Sequence, residues 1–211
     1  MPDIILPVKF NNPNLPKVDR LLGSDNFNRA DSINDLGVTP IGGLPWGYHD
    51  TASPTQTVQT RIIGNEVGIG SNGNVRAYAT VDAGTPDVRM KWRYKGGATD
   101  SSIIIVARLV DENSMVHVYG NASGLWQMGV RTGGSNSNRQ LTDQTITPGD
   151  VLELELRGTT VQLTVNGVAN PPVEITQHAS ATRFGFGAST PHQTFTPNAT
   201  WDDFEVIALG D

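Results

Sequence analysis

From Gly149 to Gly167 the chain reads Gly-Asp-Val-Leu-Glu-Leu-Glu-Leu-Arg-Gly-Thr-Thr-Val-Gln-Leu-Thr-Val-Asn-Gly. Leu152, Leu154 and Leu156 fall on one side of an extended chain, and Glu153, Glu155 and Arg157 on the other. After Gly158-Thr159-Thr160 the alternation resumes, with Val161, Leu163 and Val165 opposed to Gln162 and Thr164. A period of two is the signature of a strand with one wet face and one buried face. Asn166-Gly167 then supplies a turn in which both residues tolerate positive φ. Two alternating strands around tight turns predict an antiparallel sheet lying on a core.

The pattern continues outward in both directions. Val75, Ala77, Ala79 and Val81 alternate with Arg76, Tyr78, Thr80 and Asp82, which predicts a half-buried strand. Ile103 to Val106 is a continuous apolar run of β-branched residues and predicts a strand buried on both faces. Asp111-Glu112-Asn113 marks a turn into Met115 to Tyr119, and Trp126, Met128 and Val130 alternate with Gln127, Gly129 and Arg131. Gly133 to Asn138 reads as a flexible loop. Phe184, Phe186 and Ala188 alternate with glycines, and Phe204, Val206 and Ala208 form a closing strand. Phe27 opens the sandwich, and a loop rich in Gly and Pro, Gly37 to Pro54, carries Trp46 and Tyr48.

No segment has sustained helical periodicity. With 23 Gly, 13 Pro and only 17% charged residues among 211, the composition suits many short strands joined by turns. The fold class is all-β, an antiparallel sandwich over 23–211, preceded by an extended arm over 1–22. Pro2, Pro7, Pro13 and Pro16 keep that arm from being helical. Ile4, Ile5, Leu6, Val8 and Phe10 make it too apolar for an inert linker. It either straps onto its own sandwich or lies on another subunit.

The formal net charge of −6 argues against a general nucleic-acid binder. No stretch has the length needed to insert in a membrane. The absence of cysteine removes disulfides and thiolate chemistry. Met1 to Phe10 lacks the basic start and apolar stretch of a signal peptide, so synthesis in the cytoplasm and release by another route such as lysis is expected.

These residues resemble a known group. Asp25-Asn26-Phe27-Asn28-Arg29-Ala30-Asp31, the Gly149 to Gly167 strand pair and the closing Trp201-Asp202-Asp203-Phe204-Glu205-Val206 are similar to concanavalin A-like lectin/glucanase jelly rolls, laminin-G-like domains included. Within that group the chain looks most like the versions found in minor tail proteins of phages infecting actinobacteria. The resemblance implies a jelly-roll sandwich and a structural virion protein of a phage tail that decorates the particle or touches the host surface. It also implies homo-oligomerisation and contact with other virion subunits through the arm. A free carbohydrate-binding module and a glycoside hydrolase are the rival readings.

A glycosidase needs two carboxyl groups flanking the sugar bond. Glu153 with Glu155, and Asp203 with Glu205, share strand faces, but neither pair completes the Glu-x-Asp-x-x-Glu pattern of the glucanase branch. Both read as solvated strand residues, so no catalytic residue is assigned and the chain is expected not to be an enzyme. His49, His117, His178 and His192 show no metal-ligand spacing. No cofactor is assigned, although the resemblance leaves room for a calcium ion held by Asp25, Asp31, Asp202 and Asp203.

One strand sets Val88, Met90, Trp92 and Tyr94 against Arg89, Lys91, Arg93 and Lys95. Four cations in a row repel, so they either dock an anionic partner or are matched by acids such as Glu153, Glu155 and Asp82. Trp46 and Tyr48, in a loop, are the candidates for stacking on a sugar ring; the alternative for Trp46 is a plug beneath the loop. Trp92, Trp126 and Trp201 sit in strand patterns and belong to the core.

Overall fold

The structure is a computed structural model describing residues 18–52, 58–71, 74–97, 103–120, 125–191 and 199–210. Ile4, Ile5, Leu6, Val8, Phe10 and His192 lie outside the described residues. In chain order the strands are β1 Arg20–Asp25, β2 Ser32–Ile33, β3 Gly47–Asp50, β4 Val58–Ile63, β5 Glu66–Ser71, β6 Asn74–Asp82, β7 Val88–Gly97, β8 Ile103–Asp111 and β9 Ser114–Gly120. They continue with β10 Leu125–Thr132, β11 Ser135–Thr145, β12 Val151–Arg157, β13 Thr160–Val165, β14 Val168–Ala169, β15 Val173–Glu174, β16 Arg183–Pro191 and β17 Ala199–Ala208.

The strands pair antiparallel into two sheets. One sheet has ten strands in the order β14-β13-β12-β7-β17-β5-β4-β2, with β1 also on β17 and β15 on β13. The other has seven, β11-β10-β9-β8-β16-β6-β3. Links between strands far apart in sequence join the local hairpins, β7–β17, β17–β5 and β1–β17 in one sheet and β8–β16 and β16–β6 in the other, so the core closes only when most of the chain is in place.

The stretch that decided the fold forms the β12/β13 hairpin. Leu152 stands opposite Val165, Leu154 opposite Leu163 and Leu156 opposite Val161. All six are buried, and burying each such side chain is worth about 2 kcal/mol. Gly158 turns the hairpin at φ 54°, and Asn166 and Gly167 turn into β14 at 49° and 81°. Across the sandwich, Trp92, Trp126 and Trp201 are core residues, as expected. Trp201 lies 5.9 Å from each of the other two rings.

The expected double burial of the apolar run also holds, since Ile104, Ile105 and Val106 are all buried. Three details differ from the sequence reading. Only Gly133 and Gly134 turn between β10 and β11, and pairing begins at Ser135 opposite Thr132, so most of the expected loop is strand. Two adjacent residues able to hold positive φ are enough for a tight hairpin. The expected loop from Gly37 to Pro54 contains β3, which pairs with β6. Finally, β1 begins at Arg20, so Arg20, Leu21 and Leu22 lie in the ten-stranded sheet rather than in an arm.

Candidate functional site

The opening motif is a structural clamp. Asp25, 1% exposed, accepts from the Phe27 amide at 2.8 Å, from Arg29 at 2.7 and 3.0 Å, and from the Trp46 indole at 3.0 Å. A buried carboxylate is tolerable when every oxygen is engaged in this way. The clamp ties the end of β1 to the loop before β3. It also holds Trp46, whose ring packs on Phe27, Phe186 and Phe204 at centroid distances of 5.9, 5.6 and 5.1 Å.

Trp46 and Tyr48 nonetheless line one groove of about 290 Å³, with Asn34, Leu36, Thr60 and Ala79, at the edge where the sheets part. The groove brings together the two residues expected to bind sugar. Trp46 is half-buried and committed to the core, while Tyr48 is 42% exposed. Burial of the Tyr48 phenol, then the neighbouring Asp50 carboxylate, raise its pKa well above the ordinary range.

The basic strand is β7, and acids flank it on both sides. Arg89 pairs with Asp19 at 2.8 Å and Glu155 at 3.2 Å, and Lys91 with Glu205 at 3.4 Å. Arg93 pairs with Asp203 at 2.7 Å, and Lys95 with Glu66 at 3.6 Å and Asp202 at 3.9 Å. Of the acids expected to match them, Glu155 does. Asp82 instead accepts from Thr182 and the Gly84 amide, and Lys91 pairs with Glu205 although Glu153 faces it across the ladder. These pairs are about one-third exposed, so each contributes at most about 1 kcal/mol. Their effect is to neutralise the face.

Three of the four carboxylates considered for catalysis, Glu155, Asp203 and Glu205, fall within this network. Asp203 and Glu205 line a hollow of about 350 Å³ with Asp25 and Lys91, but each is held by its own cation. Glu155 contacts Arg89 and Arg157. Among the described residues no three His, Asp or Glu side chains form a metal set. Of the four aspartates considered for calcium, Asp25 is clamped as above and Asp31 accepts from the Gly64 amide at 3.0 Å. His178 Nε2 lies 2.7 Å from the Arg131 carbonyl, which can only accept, so that nitrogen carries the proton.

A different hollow, of about 200 Å³, opens on the outer face of the seven-stranded sheet. Arg76 and Tyr78 of β6, Ile104 of β8, His117 and Tyr119 of β9, Arg131 of β10 and Asn136 of β11 line it. Alternation sends all of them outward, because Ala77, Ala79, Ile105, Val116, Val118 and Met128 fill the interior. Two glycines make its floor flat. A Cβ at Gly187, opposite Tyr78, would sit 2.5 Å from that ring. A Cβ at Gly129, opposite His117, would run into the imidazole. Both rings therefore lie over bare backbone.

The hollow is polar yet sheltered. Tyr78 is 1% exposed, His117 5% and Arg131 7%. Burial first, then the charges of Arg131 and Arg76, push the His117 pKa down to about 4, so its imidazole is neutral at pH 7. Its Nδ1 is buried and, among the described residues, has no hydrogen-bond partner. Burial pushes the Tyr78 hydroxyl up to about 12. The Tyr119 hydroxyl donates to Gln127 at 2.8 Å, and its ring lies 5.5 Å from that of His117. From the sequence His117 is weighed only as a metal ligand, and the other six are not candidates for a site. The available signal was the outward glycines between aromatic-bearing strands.

No protein family matches the sequence, and no curated protein does. Solved structures do match. An endo-β-1,3-glucanase from Pyrococcus furiosus aligns with 91% of this chain and 95% of its own, at 12% identity and TM-score 0.52. The CBM2 module of the evolved Dit of Lactobacillus casei BL23 phage J-1 aligns with 92% of this chain and 97% of its own, at 11% identity and TM-score 0.52. The fold is the concanavalin A-like jelly roll. A sialidase also aligns with 77% of this chain, at TM-score 0.55 and 14% identity, and this chain spans 17% of that longer protein. Enzymes and a binding module thus share this concanavalin A-like scaffold, and the chemistry must be argued from the site.

Proposed function

We propose that this chain is a sugar-binding sandwich of a phage tail, a minor tail protein that decorates the particle or contacts the host surface, and that it binds glycan without cleaving it. The observation that carries the binding reading is the His117 Nδ1, without a partner among the described residues, in a sheltered hollow bearing two tyrosines and an asparagine. A buried polar atom without a partner costs about 1–3 kcal/mol, which a sugar hydroxyl would offset. Tyr119, half-buried at the rim, offers part of a ring face. Among the described residues the lining includes no carboxylate, whereas hydrolysis commonly employs two. Likeness to a phage Dit module over nearly its whole length supports the tail reading, as do the sequence motifs.

A glycan array on the full chain tests binding and cleavage together. Saturable binding that weakens at least tenfold in Tyr119→Ala, with the glycan recovered intact, is the expected result. No binding to any glycan overturns the sugar reading, and shortened glycan overturns its non-enzymatic part. Co-purification with virions tests the tail assignment. Loss of incorporation on deleting residues 1–18, which leaves β1 whole, with the sandwich still folded, tests the arm as the attachment to other subunits.

A further inference from the structure

We infer that the hollow on the seven-stranded sheet takes an acidic sugar, one whose ring carries a carboxylate or phosphate group. The inference rests on the sugar-binding reading above and adds the chemical class. Strands β6 and β10 are four places apart in the sheet, about 19 Å at the usual strand spacing. Yet Arg76 and Arg131 both line the same hollow, so their side chains reach toward each other across its floor. They are close enough that, after burial itself, the charge of Arg76 lowers the pKa of Arg131.

Two converging guanidinium groups repel and need an anion between or beside them. On β7 every cation has a carboxylate partner. Here, among the described residues, neither arginine has an ion-pair partner, and Arg131 makes only a long 3.4 Å contact to the Gly134 carbonyl. Glu112, on the β8/β9 turn, is near enough to influence Tyr78 but does not line the hollow. The imidazole of His117 adds a neutral polar atom, so the positive charge of the site belongs to the arginines. Guanidinium is the side chain that best recognises planar carboxylate and phosphate oxygens. At about 200 Å³ the hollow lies below the roughly 300 Å³ where sites for drug-sized ligands begin, which suits one ring and its charged substituent.

Calorimetric titration of the full chain with one disaccharide in four forms tests this. The terminal ring is glucuronic acid, its methyl ester, glucose, or glucose 6-phosphate. The expected result is that the carboxylate or the phosphate form binds at least tenfold tighter than the ester and glucose forms, that raising NaCl weakens this preference, and that Arg76→Gln and Arg131→Gln abolish it. Which of the two anionic forms binds tighter identifies the source of the charge. Equal binding of the acid, phosphate, ester and glucose forms overturns the acidic specificity and leaves the sugar reading intact. Failure of all four, together with a blank glycan array, removes both. Arg131 is buried and its variant can lose fold, so a melting curve accompanies each titration. The half-buried Arg76 decides if Arg131→Gln melts early: unchanged preference in Arg76→Gln overturns the inference.

Discussion

His117 makes the fold sensitive to acid in a window that can be worked out. The group is 5% exposed, and its pKa is pushed from the ordinary 6.5 down to about 4 by burial and by the charges of Arg131 and Arg76. In the unfolded chain the imidazole takes its proton near the ordinary value. Below that pH the unfolded state therefore binds more protons than the folded state, and stability falls as pH falls. The contribution is complete above 6.5, declines between 6.5 and 4, and has gone below that. At about 1.4 kcal/mol per pH unit, the loss is about 2 kcal/mol by pH 5 and about 3 kcal/mol by pH 4. Urea unfolding at pH 7.5, 6.0 and 5.0 on the native chain and on His117→Gln measures it. His49 is also held down by burial, so the readout is the difference between the two proteins. The native chain should lose about 2 kcal/mol more than His117→Gln between pH 7.5 and 5.0. Parallel curves would refute the claim that this imidazole is buried and neutral.

Asp25→Ala leaves the Arg29 guanidinium, the Trp46 indole and the Phe27 amide without their acceptor, and should cost about 3 kcal/mol in urea unfolding. Trp46→Ala removes a ring packed on three phenylalanines and should cost about 3 kcal/mol too, so a glycan assay on that variant needs a melting curve beside it. Gly129→Ala should destabilise by about 1–3 kcal/mol and shift the His117 ring resonances in NMR, because the added methyl occupies the imidazole's place. Glu153→Gln with Glu155→Gln should change stability by no more than about 1 kcal/mol and leave glycan binding unaltered, as expected of half-buried, water-facing carboxylates on the opposite sheet, of which Glu155 pairs with Arg89.

The sandwich was legible because its strands obey a single rule, apolar inward and polar outward, and the β12/β13 hairpin obeys it without exception. The rule is local, which is why it also located the tryptophan core. It failed where a two-residue turn sufficed, at Gly133-Gly134, and where a strand lay hidden in a loop, at β3. The site was harder to read for a physical reason. Arg76, His117 and Arg131 sit on β6, β9 and β10, and it is β16, from far along the chain, that joins β6 to β8 and so brings them to one face; no spacing encodes that adjacency. The basic strand shows the converse, since its pairing by acids is one of the two readings that the sequence offers. Its four cations are conspicuous along the sequence, while the acids that neutralise them come from Asp19, Glu66, Glu155, Asp202, Asp203 and Glu205.

Gly129 and Gly187 divide the hollow into a part that can drift and a part that cannot. Any side chain at either position displaces a ring outright, so the floor admits no graded adjustment. Asn136 and Arg76 stand at the rim, exposed or half-buried, and can change without disturbing the core. A lineage carrying this sandwich would therefore alter its selectivity by exchanging rim residues over a constant floor. Related chains that keep glycine at both positions while varying at 76 and 136 would be the trace of that history.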